Sequence, residues 1–102
     1  MMRSTDRAES ADAAHERNLP IINLRGLHAR ASAKFVKLVE TFDAEVRVEK
    51  DGLEVGGTSI MGLMMLAAGP GSSIHVSARG VDAIAVLNAL ETLIANRFDE
   101  GE

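Results

Sequence analysis

His28 stands in the string RGLHARAS, between a glycine-containing turn and what reads as the first turn of a helix. Such a helix start leaves several backbone N–H groups unpaired, and with the helix dipole they form a seat that prefers an anion. A neutral imidazole offers a lone pair for nucleophilic attack near neutral pH. Arg30, two residues on, can bring a planar fork of donors to phosphate oxygens. Together these groups suit a transient phosphohistidine, in which the ring accepts the phosphoryl group while amides and guanidinium hold its charge. The plain alternative is an exposed histidine or a weak cap, and residue type alone does not choose between them. His15, His28 and His75 lack the spacing of metal ligands, so neither a metal nor a cofactor is expected. No nucleophile elbow or paired partner points to a hydrolytic triad.

The elements that must position His28 follow from the hydrophobic period. Residues 19–24 (LPIINL) read as a strand, with Pro20 tolerable near its start or on an edge. From Ala29 the period lengthens: Ala31, Phe35, Leu38, Val39 and Phe42 mark one apolar helix face, and Arg30, Lys34 and Lys37 form a basic stripe on another. Ala44, Val46 and Val48 then alternate with charged residues, and Asp51-Gly52 marks a two-residue hairpin turn before Leu53 and Val55. Thr58-Ser59 offers hydroxyl caps for a short helix, IMGLMML, in which Ile60, Leu63 and Leu66 read as core. Met61, Met64 and Met65 cannot all point inward, so part of this set is expected at the surface. Ile74, Val76 and Ala78 alternate as a last strand. Asp82 reads as the cap of a final helix facing inward through Ile84, Leu87, Leu90, Ile94 and Phe98.

This order, β-α-β-β-α-β-α, predicts an α+β open-faced sandwich with an antiparallel sheet carrying three helices on one face. Residues 1–17 are polar and aperiodic and are expected to form a flexible tail, leaving 18–102 as one domain. The chain has 102 residues, the size of a single core. It has no cysteine, which excludes disulfides and thiol chemistry and fits a reducing cytoplasm. A net charge of −4, no Trp or Tyr and three Phe argue against a nucleic-acid surface. The longest apolar run falls far short of the ~20 residues of a membrane span, and the start shows no apolar signal core, so no membrane is expected.

GLHARAS followed by AKFVKLVETF resembles the signature G-L-H-[AT]-R-P-A of the HPr family, the histidine-containing phosphocarriers of the phosphoenolpyruvate-dependent phosphotransferase system. A second motif, TSIMGLMML at 58–66, falls at the spacing of that family's regulatory-serine segment. The resemblance spans roughly residues 19–98 and implies an HPr-like fold with a four-stranded sheet. It implies that His28 takes a phosphoryl group on Nδ1 from enzyme I and passes it to a histidine of an enzyme IIA, for sugar uptake or for nitrogen or carbon regulation. The chain would then be a cytoplasmic, monomeric carrier and not an enzyme.

By the same resemblance Arg30 steadies the phosphate, and Ser59 is the target of an HPr kinase/phosphorylase. Read from its type alone, Ser59 is only a helix cap. The resemblance also implies a docking face made of Ala29, Ala33, Lys34, Lys37, Ile60, Met61 and Met64. Three positions depart from the pattern: Ala31 replaces the usual proline, Arg25 the usual asparagine, and Glu40 a frequent lysine.

Overall fold

The computed structural model describes residues 13–100. Four strands form one antiparallel sheet: β1 (His15–Pro20), β2 (Glu45–Lys50), β3 (Leu53–Gly56) and β4 (Ser73–Arg79), in the order β1-β4-β2-β3. Three helices are interleaved with them: α1 (Ala29–Val39), α2 (Ile60–Met65) and α3 (Ala83–Ala95), followed by a 3-10 turn at Arg97–Asp99. The expected α+β sandwich is the observed fold. Its hairpin closes at Asp51-Gly52, where φ is 52° and 86°, the paired positive values of the tight turn that matches strand twist.

The sheet's inward positions make the dry layer. Val46 and Val48 of β2 and Ile74, Val76 and Ala78 of β4 are buried together with Ala31, Phe35 and Val39 of α1 and Val86, Leu87, Leu90 and Ile94 of α3. The alternate residues face water, where His75 meets Glu16 and Asn18 at 3.0 and 2.9 Å. β2 and β4 therefore each have one wet and one dry face, as the period of two requires.

Several expectations need correction. The first strand is His15–Pro20, not residues 19–24, and residues 15–17 belong to it and not to a tail. Residues 1–12 lie outside the described residues. The strand hid because the positions on the side of Leu19 include a polar residue, Arg17, whose guanidinium reaches Glu91 of α3 at 2.8 Å. Pro20 closes β1, and β1 is an edge strand of the sheet, the second of the two places expected for a residue with no N–H to give the ladder. On α3 it is Val86, not Ile84, that faces inward, and Ile84 is exposed. Asp82 occupies the cap position, yet its carboxylate accepts the Asp43 N–H at 2.7 Å and ties the loop after α1 to the start of α3. Phe98 is fully buried, but in the turn beyond α3, where Arg97, Phe98 and Asp99 all have φ between 55° and 61°.

Candidate functional site

The turn before α1 is built so that His28 has one available place. Asn23 is buried, and its amide Nδ2 donates to the Gly26 carbonyl at 2.8 Å, while Gly26 N–H returns to the Asn23 carbonyl at 3.1 Å. Gly26 has φ of +62°, and a Cβ there would lie 2.2 Å from the Ala68 carbonyl oxygen. No L side chain fits this position without moving the backbone. Leu27 then donates to that same Ala68 carbonyl at 2.9 Å, fastening the turn to the segment after α2.

His28 is the N-cap of α1, with extended backbone, and its carbonyl accepts the first helical bond from Ser32 at 2.9 Å. Ser32, buried one turn in, donates its hydroxyl to the Leu27 carbonyl at 3.2 Å. The imidazole caps the helix too: Nδ1 accepts from the Arg30 N–H at 3.3 Å. A nitrogen that accepts carries no proton, so the neutral ring holds its proton on Nε2. That nitrogen donates to Oε2 of Glu100. The ring is therefore held from both ends, by the helix amide at Nδ1 and a carboxylate at Nε2.

Glu100 reaches His28 because the chain turns back after α3. Lys34 of α1 donates its Nζ to the Phe98 carbonyl at 2.6 Å, and Asn23 Nδ2 reaches Glu100 Oε1 at 3.3 Å. The Glu100 side chain is 11% exposed and that of His28 19%. Desolvation raises the Glu100 pKa, but the hydrogen bonds from His28 and Asn23 and the electrostatic pull of His28 and Arg25 outweigh it. The carboxyl is held below its ordinary value.

The remaining residues singled out in the sequence fall in different environments. Arg30 and Lys37 are exposed, Ala29 is exposed and Ala33 half-buried on α1. Lys34 is half-buried and engaged with Phe98, so it is a structural tie as well as a basic residue. Ser59 is exposed and caps α2, its Oγ accepting from the Gly62 N–H at 2.9 Å. Leu63 and Leu66 are buried as expected. Ile60 is not: it is exposed alongside Met61, Met64 and Met65, because a six-residue helix turns only one narrow face inward. Asn23, Ser32 and Glu100 escaped the sequence reading. Asn23 and Ser32 are ordinary turn and helix-start residues by type, and Glu100 lies 72 residues from the histidine it touches.

A family model described as the PTS HPr component phosphorylation site matches residues 15–96. The phosphocarrier protein HPr of Cupriavidus necator is 49% identical over 87 residues, 85% of this chain and 98% of its own length. That of Pseudomonas aeruginosa is 51% identical over 85 residues, 82% and 94% of the two chains. The chain belongs to the HPr family. A solved HPr structure from Thermoanaerobacter tengcongensis superposes on this HPr-family chain with a TM-score of 0.81 at 39% identity. It covers 86% of this chain and 99% of that one. Membership makes this chain a phosphocarrier of the phosphotransferase system, a phosphoryl relay and not an enzyme. Among the described residues no helix is long and apolar enough to cross a membrane.

Proposed function

We propose that Nδ1 of His28 is the phosphoryl acceptor, charged by enzyme I and discharged to a histidine of an enzyme IIA in the cytoplasm. The observation that carries this reading is the direction of Nδ1, whose lone pair meets the Arg30 N–H at the open end of α1. When phosphorus bonds to Nδ1, that amide loses its acceptor and becomes available to a phosphate oxygen beside it. The helix end that caps the free ring thus serves the charged one. Arg30 is exposed on the first turn and supplies its guanidinium to the same oxygens. The apolar rim for successive partners comes from Ala29, Ala33, Ile60, Met61 and Met64, with Lys34 and Lys37 as its basic margin. The thioethers adapt to more than one partner surface.

Ser59 is the natural target of an HPr kinase/phosphorylase on this reading, because its hydroxyl is exposed beside that rim. Mass spectrometry after incubation with ATP and such a kinase should place the phosphate on Ser59, and an unmodified Ser59 would refute it. For His28 the test is labelling with phosphoenolpyruvate, Mg²⁺ and enzyme I. The chain should gain one acid-labile phosphoryl group, lost in His28→Ala and kept in His15→Ala and His75→Ala. A label that persists in His28→Ala overturns the assignment.

A further inference from the structure

We propose that Glu100 is a positioning residue for phosphoryl transfer, its carboxylate keeping the proton on Nε2 of His28 before, during and after Nδ1 takes the phosphoryl group. The inference rests on His28 being the acceptor and adds a second residue to that same site.

The geometry is specific. His28 Nε2 pairs with Glu100 Oε2, while Asn23 Nδ2 holds the other carboxylate oxygen at 3.3 Å, so the carboxylate is oriented as well as near. Asn23 itself is locked, because the same amide bonds the Gly26 carbonyl within the turn that precedes His28. The segment carrying Glu100 is fastened independently by Lys34 on the Phe98 carbonyl and by the buried Phe98 ring. Two hydrogen bonds, one from the turn before α1 and one from α1, and the buried Phe98 ring thus bring one carboxylate to the ring nitrogen opposite the reactive one.

The chemistry asks for such a group. In transfer, the P–N bond of the donor phosphohistidine breaks and its electron pair returns to the donor ring. The Nδ1 lone pair of His28 forms the new P–N bond. No proton need move: Nε2 keeps its hydrogen, and the His28 ring gains the positive charge that the donor ring loses. A carboxylate on Nε2–H stabilises that new ring charge and opposes loss of the proton. It does so from the side away from the phosphoryl oxygens, where its own charge repels them least. Keeping the proton also keeps His28 a good leaving group for onward transfer, since the departing ring is then a neutral imidazole. Of the charged groups on the elements around the pair, Arg25 in the preceding turn acts on the Glu100 carboxylate and Lys34 of α1 engages the Phe98 carbonyl. Arg30 lies on the first turn of α1, Arg97 and Asp99 adjoin Glu100 in the chain, and α2 carries no charged residue.

The test uses the full chain with Glu100→Gln, which keeps the shape and removes the charge, and Glu100→Ala. Each is phosphorylated with phosphoenolpyruvate and enzyme I, and hydrolysis of the phosphoprotein is followed against pH. Both variants should label, and the pH at which the phosphohistidine loses its lability should move down in Glu100→Gln. Onward transfer to an enzyme IIA should slow several-fold at neutral pH. In nitrogen NMR of the unphosphorylated protein, the Nε2-bound proton should exchange faster in Glu100→Ala. A hydrolysis profile of Glu100→Gln that superposes on the parent's overturns the role of Glu100. A label retained in His28→Ala overturns instead the acceptor assignment on which it rests.

Discussion

Among the described residues two helices begin with a side chain that caps them, and they are put to different use. His28 takes the Arg30 N–H at 3.3 Å at the start of α1, and Ser59 takes the Gly62 N–H at 2.9 Å at the start of α2. Both relieve an unpaired amide in the same way. The histidine is additionally wedged into the fold, with Glu100 on its far nitrogen and only 19% of its side chain exposed. The serine stands at the surface, where its hydroxyl accepts from the Gly62 amide. The difference teaches that capping alone does not make a reactive site. What distinguishes His28 is the second grip, which selects the protonation pattern of a group able to carry phosphorus on its first nitrogen.

The comparison breaks most visibly under alanine. His28→Ala should lose the acid-labile label entirely, whereas Ser59→Ala should keep it, as read by phosphorylation with enzyme I. Next in size, Arg30→Ala should slow transfer about tenfold, the equivalent of one lost charge-assisted contact in the transition state. Its thermal unfolding should stay close to the parent's, since the Arg30 contribution to the cap is a backbone N–H that alanine retains. A rate unchanged in both transfer directions would remove Arg30 from the site. Ser59→Ala sharpens the other side of the comparison: it should cost ~1 kcal/mol in denaturant unfolding, the usual value of a hydroxyl cap.

The smallest effect is expected from acid. The Glu100 carboxyl is held below its ordinary value, so its native contacts add stability that is present above the ordinary carboxylate range. That stability is lost as pH falls through the lowered native value. Denaturant midpoints of the parent and Glu100→Gln should differ at neutral pH and converge in acid. A gap that persists unchanged into strong acid would contradict the ionised contact.

Much of this was legible in the chain because the period of the sequence reports burial. The alternation of Val46 and Val48, and of Ile74, Val76 and Ala78, announces half-wet strands, and Asp51-Gly52 announces the turn. The elements that escaped are those stabilised by partners remote in sequence. β1 carries Arg17 on the side of Leu19 and satisfies it with Glu91, so no apolar alternation marks it. Asp82 has the chemistry of a cap, but Asp43 competes for its carboxylate and prevails. At the site the histidine and arginine stand out by spacing. Asn23 and Glu100 do not, because their roles exist only once the turn before α1 and the segment after α3 have been folded against each other.

The left-handed run Arg97–Asp99 has a consequence for how the site moves. Residues with a Cβ are disfavoured in that conformation by roughly 1–2 kcal/mol each, a cost offset locally by burying Phe98. The Asp99 and Glu100 amides are secured only by short-range bonds to Asn96 and Arg97, with none of the long ladders that hold β4. Such a stretch opens at a lower free energy than the sheet beneath it. The histidine can therefore be released from its carboxylate by a hook only three residues long, at the cost of lifting Phe98 from the core.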